Sequence, residues 1–173
     1  MRLIIQGKQG DGKSTLMAML ADRLRRRYSV AGLITIGHWH KGQRSGYTLK
    51  DMSTLAEHRF AEIYPFDGAL KVGRYAVYPS ALRFGLDTLS KSLSAKILLI
   101  DEIGRWELNG HGWAPFLAEL AGDHRQRLEI WGVGDKNVAD VQTQWPRKDD
   151  RLIAATEAKI ENILTLIDQA LRV

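Results

Sequence analysis

The sequence has no cysteine. That excludes disulfides, thiolate zinc sites and cysteine nucleophiles. It also lacks long hydrophobic runs. No apolar stretch comes near the roughly 20 residues that a bilayer span needs. The opening residues, Met1-Arg2-Leu3-Ile4-Ile5-Gln6-Gly7, turn polar too soon for a signal peptide. The expected location is the cytoplasm. There is no internal repeat, no linker and no low-complexity segment. The 173 residues therefore read as a single domain, 1–173, large enough to bury a proper core.

Apolar residues make up 45% and charged residues 26%, an ordinary globular balance. The formal net charge is +5, which favours an anionic partner. Nucleotide phosphates satisfy that, and so would RNA or DNA. The sequence has neither a nucleic-acid recognition motif nor a basic stripe interleaved with aromatics. The consecutive Arg25, Arg26 and Arg27 read as the end of a helix, where cations complement the dipole.

Periodicity gives an alternating order of elements. Arg2 to Gln6 reads as a buried strand, and Lys13 to Arg27 as a helix with Leu16, Met19, Leu20 and Leu24 at helical spacing. Tyr28 to Gly37 reads as a second strand. Arg44 to Met52, Ser53 to Ile63 and Val72 to Tyr78 look like antiparallel segments appended to the sheet. Pro79 opens a helix to about Leu93. Lys96 to Asp101 is a strand, Trp113 to Leu120 a helix, Leu128 to Val133 a strand and Val138 to Gln144 a short helix. Leu152 to Ala155 is a last strand. Glu157 to Leu171 is an amphipathic helix, with Ile160, Ile163, Leu164, Ile167 and Leu171 on one face.

The first strand runs into Gly7-Lys8-Gln9-Gly10-Asp11-Gly12-Lys13-Ser14-Thr15. This fits the phosphate-loop pattern G-x-x-x-x-G-K-[ST], in the required place between a strand and a helix. Glycines let the backbone approach phosphate oxygens and turn successive N–H groups into one concavity. The helix adds its positive dipole end. Lys13 is suited to the β- and γ-phosphates of a nucleoside triphosphate, and the Ser14 hydroxyl to Mg²⁺. The alternative is a plain glycine turn, but a turn requires neither lysine nor a following hydroxyl. The fold expectation is α/β: the three-layer P-loop NTPase fold, a mostly parallel sheet with a small antiparallel excursion between Arg44 and Tyr78.

The apolar run Ile97-Leu98-Leu99-Ile100 ends in Asp101-Glu102. If this strand neighbours the loop's strand, Asp101 lies on the ligand edge of the sheet and is a second Mg²⁺ partner. Glu102 is placed to orient and polarise an attacking water. A carboxylate in that position favours hydrolysis over mere binding. A nucleoside or nucleotide kinase on the same scaffold, and a nucleic-acid-associated NTPase, are the alternatives.

These motifs carry a family likeness. From Met1 to about Leu120 the chain resembles the cancer-related (thermophilic-type) nucleoside-triphosphatases, small P-loop proteins that hydrolyse several nucleoside triphosphates slowly. The likeness rests on the loop and on four further stretches. Ala31-Gly32-Leu33-Ile34-Thr35 is similar to the family's second strand. Arg44-Ser45-Gly46-Tyr47 and Val72-Gly73-Arg74-Tyr75 are similar to its Arg-x-Gly-aromatic and Val-Gly-Lys-Tyr segments. Asp101-Glu102-Ile103-Gly104-Arg105-Trp106-Glu107-Leu108 resembles its Asp-Glu-Ile-Gly-Lys-Met-Glu-Leu block. Departures are Ile36 in place of glutamate, Arg105-Trp106 in place of Lys-Met, and Thr156-Glu157-Ala158-Lys159-Ile160 where the family has Thr-x-x-Asn-Arg. The resemblance implies Mg²⁺-dependent hydrolysis.

Arg44, Arg74 and Arg105 are candidates for an internal arginine finger. Arg105 leads, because it follows Glu102 by three residues. His38 and His40 would share one face of an extended segment, but two ligands are too few for zinc. Trp39 could stack on a base, but an ordinary packing role is the better reading. The catalytic candidates are thus Lys13, Glu102 and Arg105; the nucleotide-binding ones are Gly7 to Thr15; the metal-binding ones are Ser14 and Asp101.

Overall fold

The computed structural model describes residues 1–123 and 125–171. Nine strands form one sheet in the order β5-β6-β4-β3-β2-β7-β8-β1-β9. The strands are β1 (Arg2–Gly7), β2 (Val30–His40), β3 (Gln43–Asp51), β4 (Glu57–Glu62), β5 (Leu70–Val72), β6 (Tyr75–Val77), β7 (Ile97–Ile103), β8 (Leu128–Gly134) and β9 (Asp150–Ala154). The helices are α1 (Lys13–Leu24), α2 (Pro79–Lys91), α3 (Arg105–Leu108), α4 (Ala114–Ala121), α5 (Val138–Gln144) and α6 (Ile160–Leu171).

Three layers follow from the period-2 alternation of strand side chains. Leu3 and Ile5 face one core with Leu99 and Ile130, against Leu16, Met17 and Leu20 of α1 and Ile163 and Ile167 of α6. Ile4 faces the other with Leu98, Ile100 and Trp131, against α2, α4 and α5. Leu3, Ile4 and Ile5 are all fully buried, as a central parallel strand covered on both faces demands.

The antiparallel part falls in the stretch expected, from Gln43 to Val77. Strands β3 to β6 make four of the nine, and they extend the same sheet beyond β2. The expected segment from Ser53 becomes a strand only at Glu57. Before it, the Asp51 carboxylate accepts from the N–H and hydroxyl groups of Ser53 and Thr54 and holds a turn.

Other boundaries differ for local reasons. Helix α1 stops at Leu24, so Arg25–Arg27 follow it; Arg27 pairs with Asp168 of α6 at 2.6 Å. Strand β2 runs on to His40, because Lys41 and Gly42, both at positive φ, close a two-residue hairpin onto β3. Helix α6 starts at Ile160 rather than Glu157, whose N–H is taken by Ala154 O in a turn. The four-residue α3 was not anticipated.

The acidic strand was expected beside the loop's strand. Instead β8 lies between β1 and β7, parallel to both. No described helix is long and apolar enough to cross a membrane.

Candidate active site

The phosphate loop joins β1 to α1 at the C-terminal edge of the parallel strands. Gly10 and Gly12 hold φ values of 95° and 88°, closed to most side chains. The N-terminus of α1 has no side-chain cap and no acid in its first turn. Its N–H groups are left for an outside anion. Lys13 is buried, and its Nζ donates to Gly7 O and Lys8 O at 3.0 Å each. That folds the ammonium over the concavity. Asp11 Oδ2 accepts from the Lys8 N–H at 2.7 Å and keeps the loop in shape.

Asp101 meets this loop across the intervening strand. The Ser14 hydroxyl lies near enough to its carboxylate to favour the charged form. The Thr35 N–H donates to Oδ2 at 3.1 Å and the Glu102 N–H to Oδ1 at 2.9 Å. Burial pushes the Asp101 carboxyl up; these donors and Lys13 pull it back.

Space for that carboxylate comes from a residue the sequence reading passed over. Between Ile100↔Trp131 and Ile103↔Val133 the β7–β8 register shifts. Asp101 and Glu102 together oppose Gly132 alone, a bulge. A Cβ on Gly132 would stand 2.2 Å from Asp101 Oδ1. Glycine inside an apolar strand marks bulges and close approaches, so the signal was present in Trp131-Gly132-Val133.

Glu102 sits at φ 59°, a strained conformation for a non-glycine residue and one that clusters at functional sites. The residue is exposed at the ligand edge, but protein atoms crowd its carboxyl. That crowding, with Asp101 beside it, raises its pKa to about 7 against the pull of Lys13 and Arg44.

One of these cavities, about 360 Å³, is lined by Lys13, Ser14, Thr15, Thr35, Trp39, Arg44, Tyr47 and Glu102. The β2–β3 hairpin reaches over the loop here, and Gln9 Nε2 donates to Tyr47 Oη at 2.8 Å. Arg44 lies across Gly37, with its guanidinium 4.2 Å from the Trp39 ring centroid and 5.3 Å from that of Tyr47. Its Nε is buried without an acceptor, and no acid among the described residues pairs with it. Trp39 is 57% exposed; it serves as a platform for Arg44 rather than as a core residue.

Arg105 does not share this cavity. It lines a second one, of about 300 Å³, with Tyr47, Phe60, Trp106, Glu107 and Trp113. Arg74 donates to Arg44 O and Tyr75 Oη and lines neither cavity. His38 bonds to Thr48 at 2.8 Å. Among the described residues no three His, Cys, Asp or Glu side chains cluster as a protein-only metal cage. Glu107 is buried; its Oε2 accepts from the Gly104 N–H at 3.0 Å, and burial raises its pKa to about 7.

Known proteins share this architecture. The family described as NTPase matches residues 2–140. The nucleoside-triphosphatase THEP1 of Archaeoglobus fulgidus is 33% identical over 128 residues, 74% of either chain. That of Methanocaldococcus jannaschii is 34% identical over 123 residues, covering 69% of this chain and 71% of its own. In fold, THEP1 from Aquifex aeolicus superposes with a TM-score of 0.76 at 23% identity, covering 97% of this chain and 99% of its own. A human cancer-related nucleoside triphosphatase superposes at 0.73 and 21%, covering 97% of each. With its loop, its acidic strand and its nine-strand sheet accounted for, the chain belongs to the NTPase family of nucleoside-triphosphatases.

Proposed function

We propose that this nucleoside-triphosphatase cleaves the β,γ bond of a Mg²⁺-bound nucleoside triphosphate with water, giving the diphosphate and phosphate. The observation that carries the reading is one cavity holding Lys13, Ser14, Arg44 and Glu102 at the uncapped end of α1.

In this reading the loop amides hold the phosphates, and Lys13 exchanges its two carbonyl partners for β- and γ-oxygens. Ser14 and Asp101 fit Mg²⁺. Both offer hard oxygen donors, the Ser14 hydroxyl acts on the Asp101 carboxyl, and the bare Cα of Gly132 leaves the carboxylate its seat. Bound there, the ion would neutralise charge on the phosphate oxygens. Glu102 orients the water and takes its proton. Arg44, the unpaired cation of this cavity, is better placed than Arg105 to meet charge developing on the transferred group. Every one of these contacts reads phosphate, so the base is read weakly.

Phosphate release from ATP, GTP, CTP and UTP, with Mg²⁺ and with chelator, tests this. Release from all four within about 100-fold of each other, roughly 2.7 kcal/mol, is expected. It should need Mg²⁺ and vanish in Lys13→Ala. Near wild-type turnover of that variant would overturn the assignment.

A further inference from the structure

The cavity beyond Glu102 has no part in hydrolysis, yet it opens onto the same carboxylate. Thr35, Tyr47 and Glu102 line both cavities. The second is walled by Phe60, Tyr75, Trp106 and Trp113. Phe60 stacks on Trp113 with centroids 5.8 Å apart, and Tyr47 meets Tyr75 edge-on at 5.2 Å. A volume of about 300 Å³ is the lower end of the range for small-molecule sites, which are apolar with a few convergent polar groups. Here those groups are Thr35, Glu102, Arg105, Glu107 and Asn137. Flat aromatic walls select a flat ligand.

We propose that this second cavity binds a planar, hydroxyl-bearing molecule of nucleoside size, and that the chain transfers the γ-phosphoryl group to it. The proposal rests on the reading above for its phosphoryl donor. The acceptor hydroxyl takes the place of the water at Glu102. Its oxygen forms a bond to the γ-phosphorus. The bond from phosphorus to the β,γ-bridging oxygen breaks, and its electron pair stays on the β-phosphate of the leaving diphosphate. The hydroxyl proton passes to the Glu102 carboxylate and on to solvent. Hydrolysis is then the reaction with the acceptor absent.

The cavity has a wall that can be altered without touching the loop. Val72, half-buried on β5, lines the second cavity alone. In Val72→Trp the indole would fill it. The probe is Mg²⁺ and ATP labelled at the γ-phosphate, with adenosine, guanosine, cytidine or uridine at millimolar concentration, the products being separated from free phosphate. The expected result is a labelled nucleoside monophosphate, with transfer reduced at least ~10-fold in Val72→Trp and phosphate release without nucleoside unchanged. Normal phosphate release with no nucleoside labelled overturns the transfer and leaves hydrolysis standing. Undiminished transfer by a folded Val72→Trp overturns the cavity as acceptor site. Loss of phosphate release and transfer together in the unaltered protein takes down both readings. If Val72→Trp melts below the assay temperature, equilibrium dialysis of labelled nucleosides against the unaltered protein with a non-hydrolysable Mg²⁺–ATP analogue decides: retention supports the site and none overturns it.

Discussion

Replacing Gly132 by alanine should damage the proposed metal site without replacing any group assigned to metal or substrate. The added Cβ would lie 2.2 Å from Asp101 Oδ1 and 2.9 Å from Met17 Sδ, where ordinary contact begins at 3.4 Å. Met17 is the flexible end of a side chain and can give way. Asp101 cannot do so freely. Its two oxygens are tied to the Thr35 and Glu102 N–H groups, and relieving the clash takes a shift of about 1 Å, which breaks at least one of these bonds. A hydrogen bond to a charged group is worth about 1.5–3 kcal/mol. At 1.4 kcal/mol per tenfold, the Mg²⁺ concentration for half-maximal hydrolysis should rise about 10- to 100-fold.

If β8 yields instead of the carboxylate, the cost appears as overpacking, about 1–3 kcal/mol, or a melting temperature lower by about 2–12 °C for a chain of this size. The assay is phosphate release against Mg²⁺ concentration, paired with thermal melts. Gly134→Ala, two residues along the same strand, is the control. Its Cβ would meet only Asn137 Nδ2 at 3.3 Å. A Gly132→Ala protein with normal Mg²⁺ dependence and normal melting refutes the idea that the missing side chain seats Asp101.

Three further outcomes are expected. Glu102→Gln should retain Mg²⁺–nucleotide binding and lose about 10²–10⁴ in kcat, whereas Asp101→Asn should weaken Mg²⁺ binding itself and shift the Mg²⁺ requirement upward; normal hydrolysis by Glu102→Gln with loss in Glu107→Gln would move the water-orienting role to Glu107. Arg44→Ala should cost about 10³ or more in kcat if it acts as a finger, and Arg105→Ala far less; the reverse order would restore Arg105 to that role. Glu107 holds its proton to a pH of about 7 in the folded chain but to about 4.5 unfolded, so it costs the fold nothing below pH 4.5 and progressively more up to about 7, to about 3 kcal/mol at most. Thermal melts of wild type and Glu107→Gln across that window should therefore diverge as pH rises, with wild type losing ground; a difference that ignores pH would refute this.

The phosphate loop was legible because its chemistry is local: nine consecutive residues carry both the turn and its ligands. The strand ending in Asp101-Glu102 was legible for the same reason. Strand order was not. Pairing of β7 with β8 and of β8 with β1 joins residues far apart in sequence, and no local pattern encodes it. Arg105 was favoured on sequence distance from Glu102, yet α3 turns it into the second cavity. Arg44 lies far from Glu102 in sequence, but the Lys41-Gly42 turn carries it over the loop. That turn was readable as a hairpin signal. Trp39 departs from the packing role expected of an aromatic residue, because the Arg44 guanidinium rather than the core lies against its exposed ring.

The bulge explains how two adjacent acids can belong to one candidate site. In a regular strand Asp101 and Glu102 would point to opposite faces of the sheet. One of them would then be buried beneath a helix, away from the phosphates. The extra residue opposite Gly132 breaks that alternation, and the left-handed backbone at Glu102 turns its carboxyl to the cavity. Such a conformation costs of order 1–3 kcal/mol. The Glu102 N–H bond to Asp101 Oδ1 offsets part of that. The intervening strand β8 is therefore more than a spacer: its glycine admits the Asp101 carboxylate that accepts from the Glu102 N–H. The loop strand and the acidic strand need not be neighbours, because the residue between them is the one with no side chain.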